Sequence, residues 1–125
     1  MATVVVGYVP KPEGEAALDA AIEEAGRRGA SLVVVNARKA GAESGPDLTA
    51  VRGKLTDSGL SFEIREVVQG LDASEDLIAV AKEIAADLIV IGLRRRTPVG
   101  KLILGSNAQR VLLDAPCPVL AVKAA

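Results

Sequence analysis

Apolar runs and amphipathic runs take turns along the chain. Val4, Val5 and Val6 form a short β-branched run ending at Gly7. In the following EGEAALDAAIEEAGRRG the period changes: Ala17, Leu18, Ala21, Ile22 and Ala25 fall on one helical face, and Gly29 supplies a stop. SLVVVN repeats the buried-strand pattern, and ARKAGAESGPD, rich in small and turn-forming residues, reads as a loop. Leu48, Val51 and Leu55 then mark a modest helix closed by Gly59, and SFEIREVV alternates Phe62, Ile64 and Val68 like a strand with one wetter face. After a turn at GLDAS, Ser74 is placed to cap a helix whose first turn holds Glu75 and Asp76, where the helix dipole favours negative charge. Leu77, Ile78, Ala81, Ile84 and Ala85 continue its apolar face, and DLIVIG is a continuous buried strand. Beyond a basic loop, Ser106 is placed to cap a helix running to about Asp114. PCPVLAVK supplies the last strand, with Pro116 and Pro118 at its start, where a missing N–H costs little.

Strands separated by helices need crossover connections, and these run right-handed. The order β-α-β-α-β-α-β-α-β therefore predicts a Rossmann-like three-layer αβα sandwich. Its five-stranded, mostly parallel sheet is expected in the order 3-2-1-4-5. Ligands of such sheets settle outside the carboxyl ends of the strands, where the strand order reverses. Residues 7–10, 36–39, 68–70 and 92–106 and Lys123 are the positions to question.

Size and charge narrow the chemistry. A chain of 125 residues is expected to form one domain. Fifteen basic and sixteen acidic residues without a histidine give a net charge of -1, so the molecule as a whole has no electrostatic reason to seek nucleic acid or an anionic membrane. The first residues lack the basic start and apolar run of a secretory signal, and no segment has the length of a bilayer span. Cytoplasmic residence is the expectation. The lone Cys117 rules out an internal disulfide. Without histidine and with one cysteine, His or multi-Cys metal sites and Ser-His-Asp or Cys-His pairs are excluded. Tyr8 and Phe62 are the only aromatic residues, too few for the stacking platforms of single-strand binders.

Known sites on this architecture can be tested by residue type. A phospho-acceptor receiver needs acidic residues after the first strand and an Asp after the third, where this chain has Gly7-Tyr8-Val9 and Val68-Gln69. A P-loop needs four residues between its first glycine and Gly-Lys-Ser/Thr; here seven separate Gly92 from Gly100, and Leu102 follows Lys101. GYVPKPEG lacks the spacing of a dinucleotide fingerprint.

The loop after the fourth strand carries a different pattern. Gly92, two residues, Arg95, nine residues and Gly105-Ser106 follow AADLIVIG and precede NAQRVLLDAPCPVLAVK. This resembles the nucleotide-loop motif of the universal stress protein family, which reads Gly, two residues, Gly, nine residues, Gly-Ser or Gly-Thr. VVVGYV, ALDAAI and SLVVVNA extend the resemblance over almost the whole chain. It implies ATP or another adenine nucleotide, with magnesium, lying across the ends of the first and fourth strands. The implied site is Val9, Ala37, Ile91, Gly92, Arg94, Arg95, Gly105, Ser106 and Asn107. Gly92 would permit close backbone approach, Gly105 and Ser106 would present N–H groups at a helix start, and Arg94, Arg96 and Lys101 would add charge-assisted contacts.

Two positions depart from the family pattern. Arg95 stands where binding members have their second glycine: its Cβ narrows the approach, while its guanidinium offers a fork to phosphate. Val9 stands where members that bind ATP carry an acidic residue that reaches the nucleoside; losing such a bond removes on the order of 1 kcal/mol, or about fivefold in affinity. The family's backbone contact after the second strand falls at Ala37.

The arginine run itself admits three readings: an anion site, a solvated loop, or a dock for an acidic partner. Cys117 reads as a small buried residue, and Tyr8 as core or rim packing. The last strand should lie at an edge, and the family resemblance implies a two-fold homodimer pairing Val119, Leu120, Ala121 and Val122 with their symmetry mates. Pro116, Pro118 and Lys123 shielding the edge of a monomer is the alternative. The function expected is a nucleotide-responsive regulatory module read by an unidentified protein partner. Its competitor is a nucleotide-free dimeric interaction protein, and catalysis is limited to slow ATP hydrolysis at most, since no side chain is recognisable as a general base.

Overall fold

Successive strand residues face opposite sides of a sheet, so a strand made wholly of apolar residues is stable only if both sides are covered. The computed structural model, which describes residues 2–9, 11–38, 48–68, 73–93 and 106–123, covers them with four helices. The strands are β1 (Thr3–Tyr8), β2 (Ser31–Arg38), β3 (Phe62–Val68), β4 (Leu88–Leu93) and β5 (Val119–Lys123). Between them lie α1 (Pro12–Arg28), α2 (Thr49–Ser58), α3 (Ala73–Glu83) and α4 (Ser106–Asp114). All four strand pairings are parallel, and the order is β3-β2-β1-β4-β5. The predicted architecture is the one found.

Alternation divides the core into two layers. Val4, Val6, Leu32, Val34, Leu88 and Val90 face α1 and α2 and pack with Leu18, Ala21 and Leu55. Val5, Val33, Val35, Ile89 and Ile91 face the other way, against Leu77, Ala81 and Val111 of α3 and α4. Residues Val4, Val5 and Val6 are fully buried, the pattern expected of a strand covered on both sides. Register aligns Val4 with Leu32 and Leu88, so the three central strands end together, and β1 and β4 are the neighbours at which the order reverses.

Helix ends follow the sequence closely in α1 and less so elsewhere. Pro12 opens α1, with Glu13 and Glu15 in its first turn and Arg27 and Arg28 in its last, as the helix dipole favours. Gly29 ends it at φ 61, and Gly59 ends α2 at φ 74. Three expectations shift. Ser74 lies inside the first turn of α3 and is buried, because the helix begins one residue earlier at Ala73. Ser106 is likewise the first residue of α4 rather than the residue before it. Ala85 leaves the apolar face: it is exposed at φ 52, where its N–H bonds to the Lys82 carbonyl and that of Ala86 to Ala81. A left-handed cap is thus made without glycine, which sequence patterns do not signal. Both prolines fall just before β5, and the Pro118 carbonyl accepts the Ile89 N–H at 3.0 Å.

The two sheet edges differ. β3 carries Glu63, Arg65 and Glu66, with Arg65 bonded to Glu63 at 2.8 Å and to Glu83 of α3 at 2.6 Å. β5 exposes parts of Val119, Leu120, Ala121 and Val122 instead. Among the described residues, no helix is long and apolar enough to cross a membrane.

Candidate functional site

At the carboxyl ends of β1 and β4 a crevice of about 170 Å³ opens on the α3 and α4 side of the sheet. Gly7 and Val9 of the β1 end, Val35 of β2, and Ile91 and Gly92 of β4 form its sheet wall. Ser74 and Leu77 of α3 and Ala108 and Val111 of α4 close the far side. Glu13 and Gly14, at the start of α1, reach it from across the sheet end. Gly7 lets α3 approach the strand closely on this side. After Val5 comes Gly7, where even a Cβ would stand 3.2 Å from the Leu77 side chain.

Two glycines set the position of α1 over this end. A Cβ on Gly14 would collide with the backbone carbonyl of Val9, and a Cβ on Gly92 would collide with that of Glu13. The first turn of α1 therefore lies directly on the last residues of β1 and β4. The Val9 carbonyl also accepts the Lys11 N–H at 2.8 Å, which turns the chain sharply into the helix.

On the opposite face the same strand end is filled. Tyr8, 5% exposed, packs in the α1 and α2 layer and donates its hydroxyl to Glu15 Oε1 at 2.6 Å. Burial first, then the hydrogen bond and charge of Glu15, push the phenol up to about 12. Lys54 of α2 lies 3.5 Å from Glu15 and 2.8 Å from Asp19, and chiefly its bond to Asp19 raises its pKa. Tyr8 also borders the crevice, but its ring packs in the core and its hydroxyl is held by Glu15.

The structure brings some of the sequence-predicted site together. Val9, 40% exposed, forms the rim; Ile91 is buried in the wall; Gly92 lies beneath Glu13. Ala37 pairs with Val67, one step beyond the Asn36 that pairs with Tyr8, so its backbone reaches the same end of the sheet without lining the crevice. Ser106 and Asn107 open α4, whose next turns contribute Ala108 and Val111 to the crevice. The side chains of Ala37, Ser106 and Asn107, and the whole of Arg94, Arg95, Arg96, Lys101 and Gly105, lie outside the described residues.

Sequence reasoning missed Glu13, Gly14, Leu77, Ala108 and Val111. Gly14 had a signal: glycine in the first turn of a helix forgoes propensity, and a close backbone approach is the usual return. The others read as ordinary positions of amphipathic helices. Cys117 is half-buried, and burial followed by the charge of Asp87 raises its thiol pKa, the reverse of activation.

Comparison with known proteins agrees with this geometry. The model of the universal stress protein family matches residues 1–123. A universal stress protein of Mycolicibacterium smegmatis is 50% identical over 96% of each chain. A solved universal stress protein from Archaeoglobus fulgidus superposes with a TM-score of 0.78 at 33% identity, covering 98% of this chain and 99% of that one. The structure of the Archaeoglobus fulgidus protein in complex with dAMP has a TM-score of 0.71 at 28% identity, over 98% of both chains. With the fold, the switch-point crevice and near full-length matches in agreement, the chain belongs to the universal stress protein family.

Proposed function

We propose that this chain is a single-domain, cytoplasmic regulatory module that binds an adenine nucleotide in the crevice between β1 and β4. The observation that carries the reading is the crevice itself: an apolar slot at the switch point of a parallel sheet, walled by Val9, Ile91 and Gly92. At about 170 Å³ it suits one ring system, not a whole nucleotide. The base enters, the sugar sits at the mouth, and the phosphates extend beyond it to the start of α4, with Arg94, Arg95, Gly105, Ser106 and Asn107 as the proposed phosphate contacts. The start of a helix favours an anion there through its free N–H groups and dipole. The dAMP complex of the Archaeoglobus fulgidus relative supports an adenine ligand.

Ligand binding orders the protein's surface for a partner rather than driving turnover, and any ATP hydrolysis would rest on positioning alone. Calorimetric titration with AMP and ATP, with and without magnesium, tests this. Saturable binding to the wild type, lost in a folded Ala108→Phe variant that fills the crevice, is the expected result. Absence of heat at millimolar nucleotide would refute it.

The contrast between the edges supports a second element. β3 guards its edge with charge, whereas β5 offers a half-buried apolar one, and Leu112 and Leu113 of α4 are exposed, Leu113 by 82%. We infer a two-fold homodimer through Val119, Leu120, Ala121 and Val122. If no nucleotide binds, this dimer acting as an interaction protein is the remaining function. Sedimentation of the wild type against a Leu120→Lys variant tests it, with a dimer expected for the first and a monomer for the second.

A further inference from the structure

We propose that Glu13 is the specificity-determining residue of the crevice, accepting hydrogen bonds from the two ribose hydroxyls of the bound nucleotide. The inference deepens the nucleotide reading above and rests on it.

The crevice is otherwise poor in groups able to read a sugar. Val9 at the rim is apolar. The Tyr8 hydroxyl points to the other face, where Glu15 holds it. Ser74 is 2% exposed and already engaged in a polar interaction. Glu13 alone among the described lining residues carries a charge.

Its backbone position is fixed, and its carboxylate has no partner among the described residues. Gly14 lies against the Val9 backbone and Gly92 against the Glu13 backbone, so the first turn of α1 cannot slide along the sheet end. Glu15, two residues on, is bonded to Tyr8 and Lys54, whereas no hydrogen bond or ion pair joins the Glu13 side chain to any described residue. A helix N-terminus explains why an acid is tolerated there. It does not explain why the residue at this lining position is an acid.

The chemistry that fits is a neutral, hydroxyl-bearing end of a ligand. A carboxylate accepts two O–H donors at once and repels phosphate. Glu13 approaches from the α1 side, while α4 begins at Ser106 on the other side of the sheet. A nucleotide is thereby oriented, its hydroxyls toward α1 and its anionic end toward α4. The preferred ligand class is a ribonucleotide over its deoxy forms.

The test is calorimetric affinity for AMP and for dideoxy-AMP, the same nucleotide without the two ribose hydroxyls, in the wild type, Glu13→Gln and Glu13→Ala. Wild type should prefer AMP by on the order of tenfold, as hydrogen bonds to a charged acceptor allow. Glu13→Ala should bring that ratio to about one with dideoxy-AMP affinity unchanged, and Glu13→Gln, which keeps one acceptor oxygen, should fall between. A carboxylate serving only the helix would alter thermal stability and leave the ratio alone. Equal affinities in the wild type, or a ratio preserved in Glu13→Ala, would overturn this inference while leaving the nucleotide reading intact. Failure of the wild type to bind either nucleotide would remove both.

Discussion

Tyr8 and Val9 are consecutive in the chain and belong to opposite sides of the sheet. Tyr8 fills its side with a ring and ties it off with a 2.6 Å bond to Glu15, which Lys54 holds in turn. Val9 stands at the rim of a crevice, and Gly7, one step back on its own side, lets the Leu77 side chain of α3 pack close to the strand. The two layers share strands, length and hydrophobicity, so the difference lies in side-chain volume at two alternate positions. A parallel sheet offers both sides of its carboxyl end to a ligand; this sequence fills one with tyrosine and keeps a crevice lined by Gly7, Val9 and Leu77 on the other.

The comparison predicts unequal responses to truncation. Tyr8→Ala should lower unfolding free energy by about 3–5 kcal/mol, because it empties a buried site. Denaturant unfolding measures this, and a loss below about 1 kcal/mol would show that the filled side is not load-carrying.

Alkali probes the same side more gently. Tyr8 is the chain's one tyrosine, so the ultraviolet absorbance of ionised phenol reports it alone. Its folded pKa, about 12, lies above the ordinary 10.0, so the folded state holds the proton more tightly. That contribution, about 3 kcal/mol from the shift, is complete below pH 10 and is lost as the pH rises through about 12. Glu15→Gln should move the absorbance midpoint down toward 10; an unchanged midpoint would assign the whole shift to burial.

The open side should answer least. Val9→Ala, at a position 40% exposed, should change stability by less than about 0.5 kcal/mol while altering nucleotide affinity. A large loss of stability would mean that Val9 packs as core.

Much of this arrangement was legible in the sequence, for a physical reason. Buried β-branched runs alternating with helical-period stretches leave few topologies, and the expected order 3-2-1-4-5 is the one the structure has. Val9 and Gly92 fall within the strand ends that those runs locate, and Ile91 came with the family resemblance; all three border the crevice. Glu13, Ala108 and Val111 were missed, because a helix pattern names the buried face without saying which buried residue borders a void. The loop of Gly92 was read as room for a ligand, yet the structure gives that glycine a packing cause as well, the Glu13 backbone above it. Ala85 escaped notice because its left-handed φ of 52 comes from a residue that sequence patterns place in helices.

The most direct test of the central claim is an amide NMR titration of the wild-type chain with AMP. The account predicts saturable shifts centred on Gly7, Val9, Glu13, Gly92 and Ala108, with Leu55 and Lys54 on the filled side unmoved. Shifts centred on β5, or none at millimolar AMP, would contradict it.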